Sequence, residues 1–179
     1  MADTKLEGRK VLLIVPQTQF REEEVFEPKR ILEKQGARVI VASKEPRRCR
    51  GMREGTINPE LTISDVSPDD YDALLLSGGT SVPELFWKDK ELAELVFTMA
   101  EAGKVVAAIS LSTVVLAKAN LLEGRNATVY FLPEAIEELE KAGATYVGEK
   151  LIIDENLIMA EGPSQARSLT DAIVEKLSR

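Results

Sequence analysis

Between Lys104 and Ala117 the chain reads KVVAAISLSTVVLA, and this stretch narrows the available folds more than any other. An apolar run, Val105 to Ile109, meets Ser110-Leu111-Ser112-Thr113 and passes directly into a helical apolar pattern. A strand with no polar alternation is buried on both faces, the condition of a parallel sheet covered by helices on each side. A strand that breaks sharply into a helix holds one side chain above the sheet's carboxyl edge, beside the unpaired amides of the helix start. Ser110 is predicted to occupy that seat.

Strand-like and helix-like runs alternate along the rest of the chain, the pattern of βα units. Val11 to Val15 and Asp72 to Leu76 read as buried strands, and Arg38 to Ala42 as another. Glu24 to Gln35 reads as a helix stopped by Gly36. Asp89 is placed to cap a helix that runs to Ala102 and closes at Gly103. Asn126 to Tyr130 is expected to be a short strand, and Pro133 to open a helix ending at Gly143. Leu151–Ile153 and Leu157–Met159 flank turn-forming residues and predict a hairpin. Ser164 is expected to cap a final helix carrying Leu169, Ile173 and Leu177 on one face. Arg47 to Ser64 interrupts the alternation with Gly51, Gly55 and Asn58-Pro59, and predicts a small hairpin excursion. The expected fold is α/β: a three-layer αβα sandwich of flavodoxin-like type with a mainly parallel sheet, one domain over residues 1–179. Sites in such folds lie at the carboxyl ends of the strands.

Composition removes several function classes. The 179 residues carry a net charge of −7, which argues against nucleic-acid binding through general electrostatics. No apolar run approaches the roughly 20 residues of a membrane span. The segment MADTKLEGRK lacks a signal-peptide core, so a cytoplasmic location is expected. One cysteine and no histidine exclude an internal disulfide and the usual zinc or copper ligand sets. Neither a G-x-G-x-x-G nor a Walker A sequence occurs, so no nucleotide cofactor is expected, and no metal.

Three strand ends converge on one rim: Pro16 to Phe20, Ser77 to Thr80, and Ser110 to Ser112. Gly78 and Gly79 leave main-chain N–H groups uncovered, and with the N–H of Leu111 they are candidates for an oxyanion hole. A tight βα turn needs the same glycines. Within Glu22-Glu23-Glu24, helical stepping from Glu23 meets Glu27, Arg30 and Lys34, an ion-paired outer face. Stepping from Glu24 meets Pro28, Ile31, Leu32 and Gln35, the side of the buried stripe, so Glu24 is the acid predicted to face inward. Burial there would raise its pKa and let it share a proton with a neighbouring nucleophile. Cys49 stands among Arg47, Arg48, Arg50 and Arg53, charges that favour a thiolate, but no base accompanies it and a solvent-exposed bystander is expected. Phe86, Trp87 and Phe131 are candidates for a pocket mouth, a subunit contact or core.

Taken in order, KVLLIVP, FREEEVFEP, YDALLLSGG, GKVVAAISLS, LLEGRNATVY and LIIDENLIMAEGP resemble the ThiJ/PfpI superfamily, also called the DJ-1 superfamily, over nearly the whole chain. The resemblance implies a flavodoxin-like homodimer or larger homo-oligomer acting on small carbonyl compounds or peptides. Activities attributed to relatives are those of peptidases, glyoxalases, deglycases and chaperones. It also implies an elbow cysteine, a buried glutamate bonded to it, and amides from the Gly-Gly turn and the elbow. By position these fall on Ser110, on Glu24, and on Gly78, Gly79 and Leu111. The elbow usually reads Cys-His-Gly or Cys-Ala-Gly; here it reads Ser110-Leu111-Ser112. Where some relatives have Arg-Gly-Pro, this chain has Glu161-Gly162-Pro163. A serine needs a base to become nucleophilic. Three readings fit: a cysteine-dependent scaffold with serine introduced at 110, a non-catalytic stress-related binding or interaction protein, and a serine hydrolase using Ser110 with Glu24.

Overall fold

The computed structural model describes residues 4–179. The chain begins with β1 (Lys10–Ile14), β2 (Thr18–Phe20), α1 (Glu22–Lys34) and β3 (Arg38–Ser43). The excursion follows as β4 (Cys49–Gly51), β5 (Thr56–Ile57) and β6 (Leu61–Thr62). Next come β7 (Ala73–Leu76), α2 (Val82–Leu85), α3 (Lys90–Glu101), β8 (Val105–Ile109) and α4 (Thr113–Lys118). The remainder is β9 (Asn126–Ala127), α5 (Pro133–Lys141), β10 (Thr145–Tyr146), β11 (Leu151–Asp154), β12 (Leu157–Ala160) and α6 (Ala166–Leu177).

The main sheet has the order β11-β12-β8-β7-β1-β3-β6, parallel throughout except for β11 against β12. Strand alternation sends its side chains to two cores. Leu12, Ile14, Leu74, Leu76, Val106 and Ala108 join one core with residues of α3, α4 and α5. Val11, Leu13, Leu75, Ala107 and Ile109 join the other with residues of α1 and α6. Apolar positions on both sides of each central strand thus require two helical layers, and the chain is the expected three-layer αβα sandwich. No helix among the described residues is long and apolar enough to cross a membrane.

Local chemistry sets one helix start, and contacts within the folded chain set other boundaries. Asp89 caps α3 by accepting from the N–H of Leu92 at 3.1 Å. Ser164 does not cap α6: Pro163–Gln165 first form a 3₁₀ turn, in which the Gln165 side chain accepts the N–H of Gly162 at 3.1 Å. The strand expected over Asn126 to Tyr130 shortens to β9, paired in parallel with β10, because Tyr130 is drawn to the carbonyl of Ser110 instead. The excursion is a small sheet, with β4 parallel to β2 and antiparallel to β5.

Candidate active site

β8 ends in extended backbone at Ile109, and the next residue, Ser110, turns to φ +59°. A left-handed non-glycine residue costs roughly 1–2 kcal/mol and persists where its surroundings over-determine it. Those surroundings are specific. The Ser112 hydroxyl donates to the carbonyl of Ser77 at 2.6 Å, and Trp87 Nε1 donates to the carbonyl of Leu111 at 3.0 Å. The N–H of Tyr130 donates to the carbonyl of Ser110 at 3.4 Å. The elbow is thereby tied to β7, to the end of α2 and to the segment after β9.

α1 delivers the acid. Its first turn places Glu24 inward at 1% exposure, while Glu22 and Glu23 remain at the protein's edge. Helix spacing alone separates the three. The Glu24 carboxyl accepts the Ser110 hydroxyl at one oxygen and the N–H of Gly78 at the other, the latter at 2.7 Å. Burial raises its pKa to about 7, against the opposing pull of the Ser110 and Gly78 hydrogen bonds and the Arg21 charge. A buried carboxyl poised near neutrality can hold a proton or release it within the working range of a cell.

The Gly-Gly turn is a fitted part. A Cβ at Gly78 would overlap the Glu24 carboxyl and lie 2.9 Å from Ser110 Cβ. Gly79 has φ +149°, and a Cβ there would lie 2.8 Å from Phe20 Cα, because the turn presses against β2. The amide of Gly78 is committed to Glu24, so it positions the acid and is not free to meet a developing oxyanion. Among the described residues, the N–H groups of Gly79 and Leu111 donate to no protein acceptor. Both residues line the cleft in front of Ser110.

That cleft has a volume of about 180 Å³, and Glu24 and Ser110 open into it. Arg21, Met52, Tyr130 and Pro163 also form its wall, and sequence reasoning did not single out any of the four for it. Arg21 directly precedes the acidic run, a position that could have flagged it; Met52 arrives only through the folded excursion. Phe86 is core at 1% exposure, Trp87 braces the elbow from behind, and Phe131 is 68% exposed beside the rim. Cys49 corrects the expectation of an exposed thiol. It is fully buried in β4, where alternation turns Arg50 outward and Cys49 into the core beside Gln17. Burial pushes its thiol pKa up, outweighing the pull of Ser43 and Arg47. Among the described residues no cluster of three or more His, Cys, Asp and Glu side chains forms a metal cage.

Comparison with known proteins agrees with this architecture. An uncharacterized protein of Methanocaldococcus jannaschii is 46% identical over 162 residues, covering 90% of this chain and 79% of the relative. A deglycase of Pyrococcus abyssi is 32% identical over 152 residues, covering 85% of this chain and 90% of the relative. The crystal structure of a ThiJ/PfpI domain protein from Brachyspira murdochii matches with a TM-score of 0.89 at 27% identity, over 96% of this chain and 97% of that one. The sequence profile of the DJ-1/PfpI family matches residues 9–176, and the chain belongs to that family.

Proposed function

We propose that the Ser110 elbow is a carbonyl-directed site in which a hydroxyl stands where cysteine-dependent relatives carry a thiol. The observation that supports this most is the hydrogen bond from Ser110 to a buried Glu24 whose pKa lies at about 7, at the wall of a small cleft. In the step these groups suit, Ser110 Oγ bonds to a carbonyl carbon and the π electron pair moves onto the carbonyl oxygen. The hydroxyl proton passes to Glu24, and the new oxyanion meets the amides of Gly79 and Leu111. Return of that proton to the oxyanion completes a neutral adduct, and reversal releases the carbonyl compound.

Serine holds its proton far more tightly than cysteine, so turnover by the chain as written is expected to be slow. The partners proposed are small carbonyl compounds or peptides, with the protein acting as a homodimer or larger homo-oligomer. The test is methylglyoxal consumption by this chain and by Ser110→Cys, with circular dichroism confirming that both are folded. A gain of roughly 100-fold or more in the thiol variant is expected. A folded Ser110→Cys protein with no gain would overturn the proposal in favour of a non-catalytic binding role, the reading that the absence of histidine favours.

A further inference from the structure

Among the residues lining the cleft, Arg21 is the one basic side chain. It sits where β2 passes into α1, and its main chain is fixed by the N–H donating to the carbonyl of Gly78 at 2.9 Å. Its side chain is fixed at one end only. Nε donates to Glu23 at 3.1 Å, and among the described residues the two terminal nitrogens donate to no protein group. A guanidinium has five N–H donors in a rigid fork, and with Nε occupied by Glu23 the two terminal nitrogens remain placed to take a carboxylate end-on.

We infer that the site selects small carbonyl compounds bearing a carboxylate beside the carbonyl, 2-oxo acids, and that Arg21 recognises the carboxylate. This rests on reading Ser110 and Glu24 as a carbonyl-directed pair, and it adds the substrate's second functional group. Glu23 does not cancel the arginine, because it also accepts from Arg53 at 2.9 Å and is shared between two cations. Glu22 is spent elsewhere: its carboxylate accepts the main-chain N–H groups of Arg53 at 2.7 Å and Gly55 at 3.1 Å. Glu24, held near half-protonation at neutral pH by burial, repels an incoming anion less than an exposed carboxylate would.

Size permits such a ligand: a cleft of about 180 Å³ has the volume of about six waters, room enough for a three-carbon 2-oxo acid. Met52, Leu111, Tyr130 and Pro163 give it a largely apolar wall, which suits a short alkyl end. A ligand so placed would have its carboxylate on Arg21, its carbonyl carbon at Ser110 and its carbonyl oxygen toward Gly79 and Leu111.

The experiment titrates pyruvate and its uncharged isostere pyruvamide into the full chain at fixed ionic strength, following the Gly79 and Leu111 amides by NMR. Pyruvate is expected to bind at least about ten-fold more tightly than pyruvamide. Arg21→Gln is expected to bring that ratio close to one, and Arg21→Lys to restore part of it. Equal affinities in the parent chain, or a ratio unchanged in a folded Arg21→Gln protein, would overturn the inference. If pyruvamide moves the two amides while pyruvate has no advantage, carboxylate selection fails and the carbonyl site stands. If neither compound moves them, both fall.

Discussion

Ser110 and Cys49 are the two side chains that a reader seeking a nucleophile would compare, and the protein treats them in opposite ways. Both are buried, at 5% and 0% exposure. Cys49 lies in extended backbone with its sulfur in an apolar cluster that includes Val15, Phe20 and Val41, and Gln17 Nε2 approaches it at 3.7 Å. Its four neighbouring arginines belong to the sequence, while its environment is core. Ser110 has the less reactive atom and the more developed setting: left-handed backbone, a bonded acid, two free amides and a cleft. Of the two, Ser110 alone has the placement and partners that nucleophilic chemistry requires. A sulfur in the wrong seat is packing material.

The largest expected effect tests this directly. A cysteine placed at 110 should react with iodoacetamide roughly 1,000-fold faster than Cys49 in the folded parent chain, with the Cys49→Ala/Ser110→Cys double variant fixing which thiol is labelled. Comparable rates at the two positions would erase the contrast. The next effect separates the seats by pH. The Glu24 pKa is raised from 4.5 to about 7, so the folded chain holds a proton that the unfolded chain releases between those values. Stability from this group is therefore complete below pH 4.5 and lost as pH rises through 7, by about 3 kcal/mol at most. Urea unfolding at pH 5 and pH 8 should show that decline in the parent chain and a flatter profile in Glu24→Gln. A Cys49→Ala chain should keep the parent's slope, because a thiol with a pKa above its ordinary 9.0 stays neutral across this window.

How far the sequence could be read follows the same division. Central strands were legible because burial on both faces leaves uninterrupted apolar runs such as Val105 to Ile109. The inward turn of Glu24 was legible because helical spacing distinguishes it from Glu22 and Glu23, and Pro28 left α1 unbroken. Elements held by tertiary contact were not: β2 spans three residues, and β9 and β10 are two-residue pieces with no period of their own. The burial of Cys49 has no local signal, because its arginine neighbours dominate the composition while a three-residue strand is enough to turn one side chain inward. The four added cleft residues come from four separate segments, and their meeting is a property of the folded chain. The commitment of the Gly78 amide was likewise invisible, since a Gly-Gly pair reads the same whether its N–H faces a ligand or a carboxylate.

The smallest effect is the one that ties each side chain to its own role. Cys49→Ala removes a buried sulfur from a filled core and should cost about 1–2 kcal/mol in urea unfolding. The titration of Glu24, followed by carbon-13 NMR of its carboxyl, should not move in that variant. Ser110→Ala should cost less, about 1 kcal/mol or below, because the lost hydrogen bond is partly offset by the smaller side chain. Its signature is elsewhere. The Ser110 hydroxyl donates to the carboxylate form of Glu24 and so favours charge; without it, desolvation acts with one fewer opponent and the pKa must rise above its present value of about 7. A Glu24 titration that stays fixed in Ser110→Ala, or one that shifts in Cys49→Ala, would show that acid and hydroxyl are not coupled as a pair and that the two seats differ in packing alone.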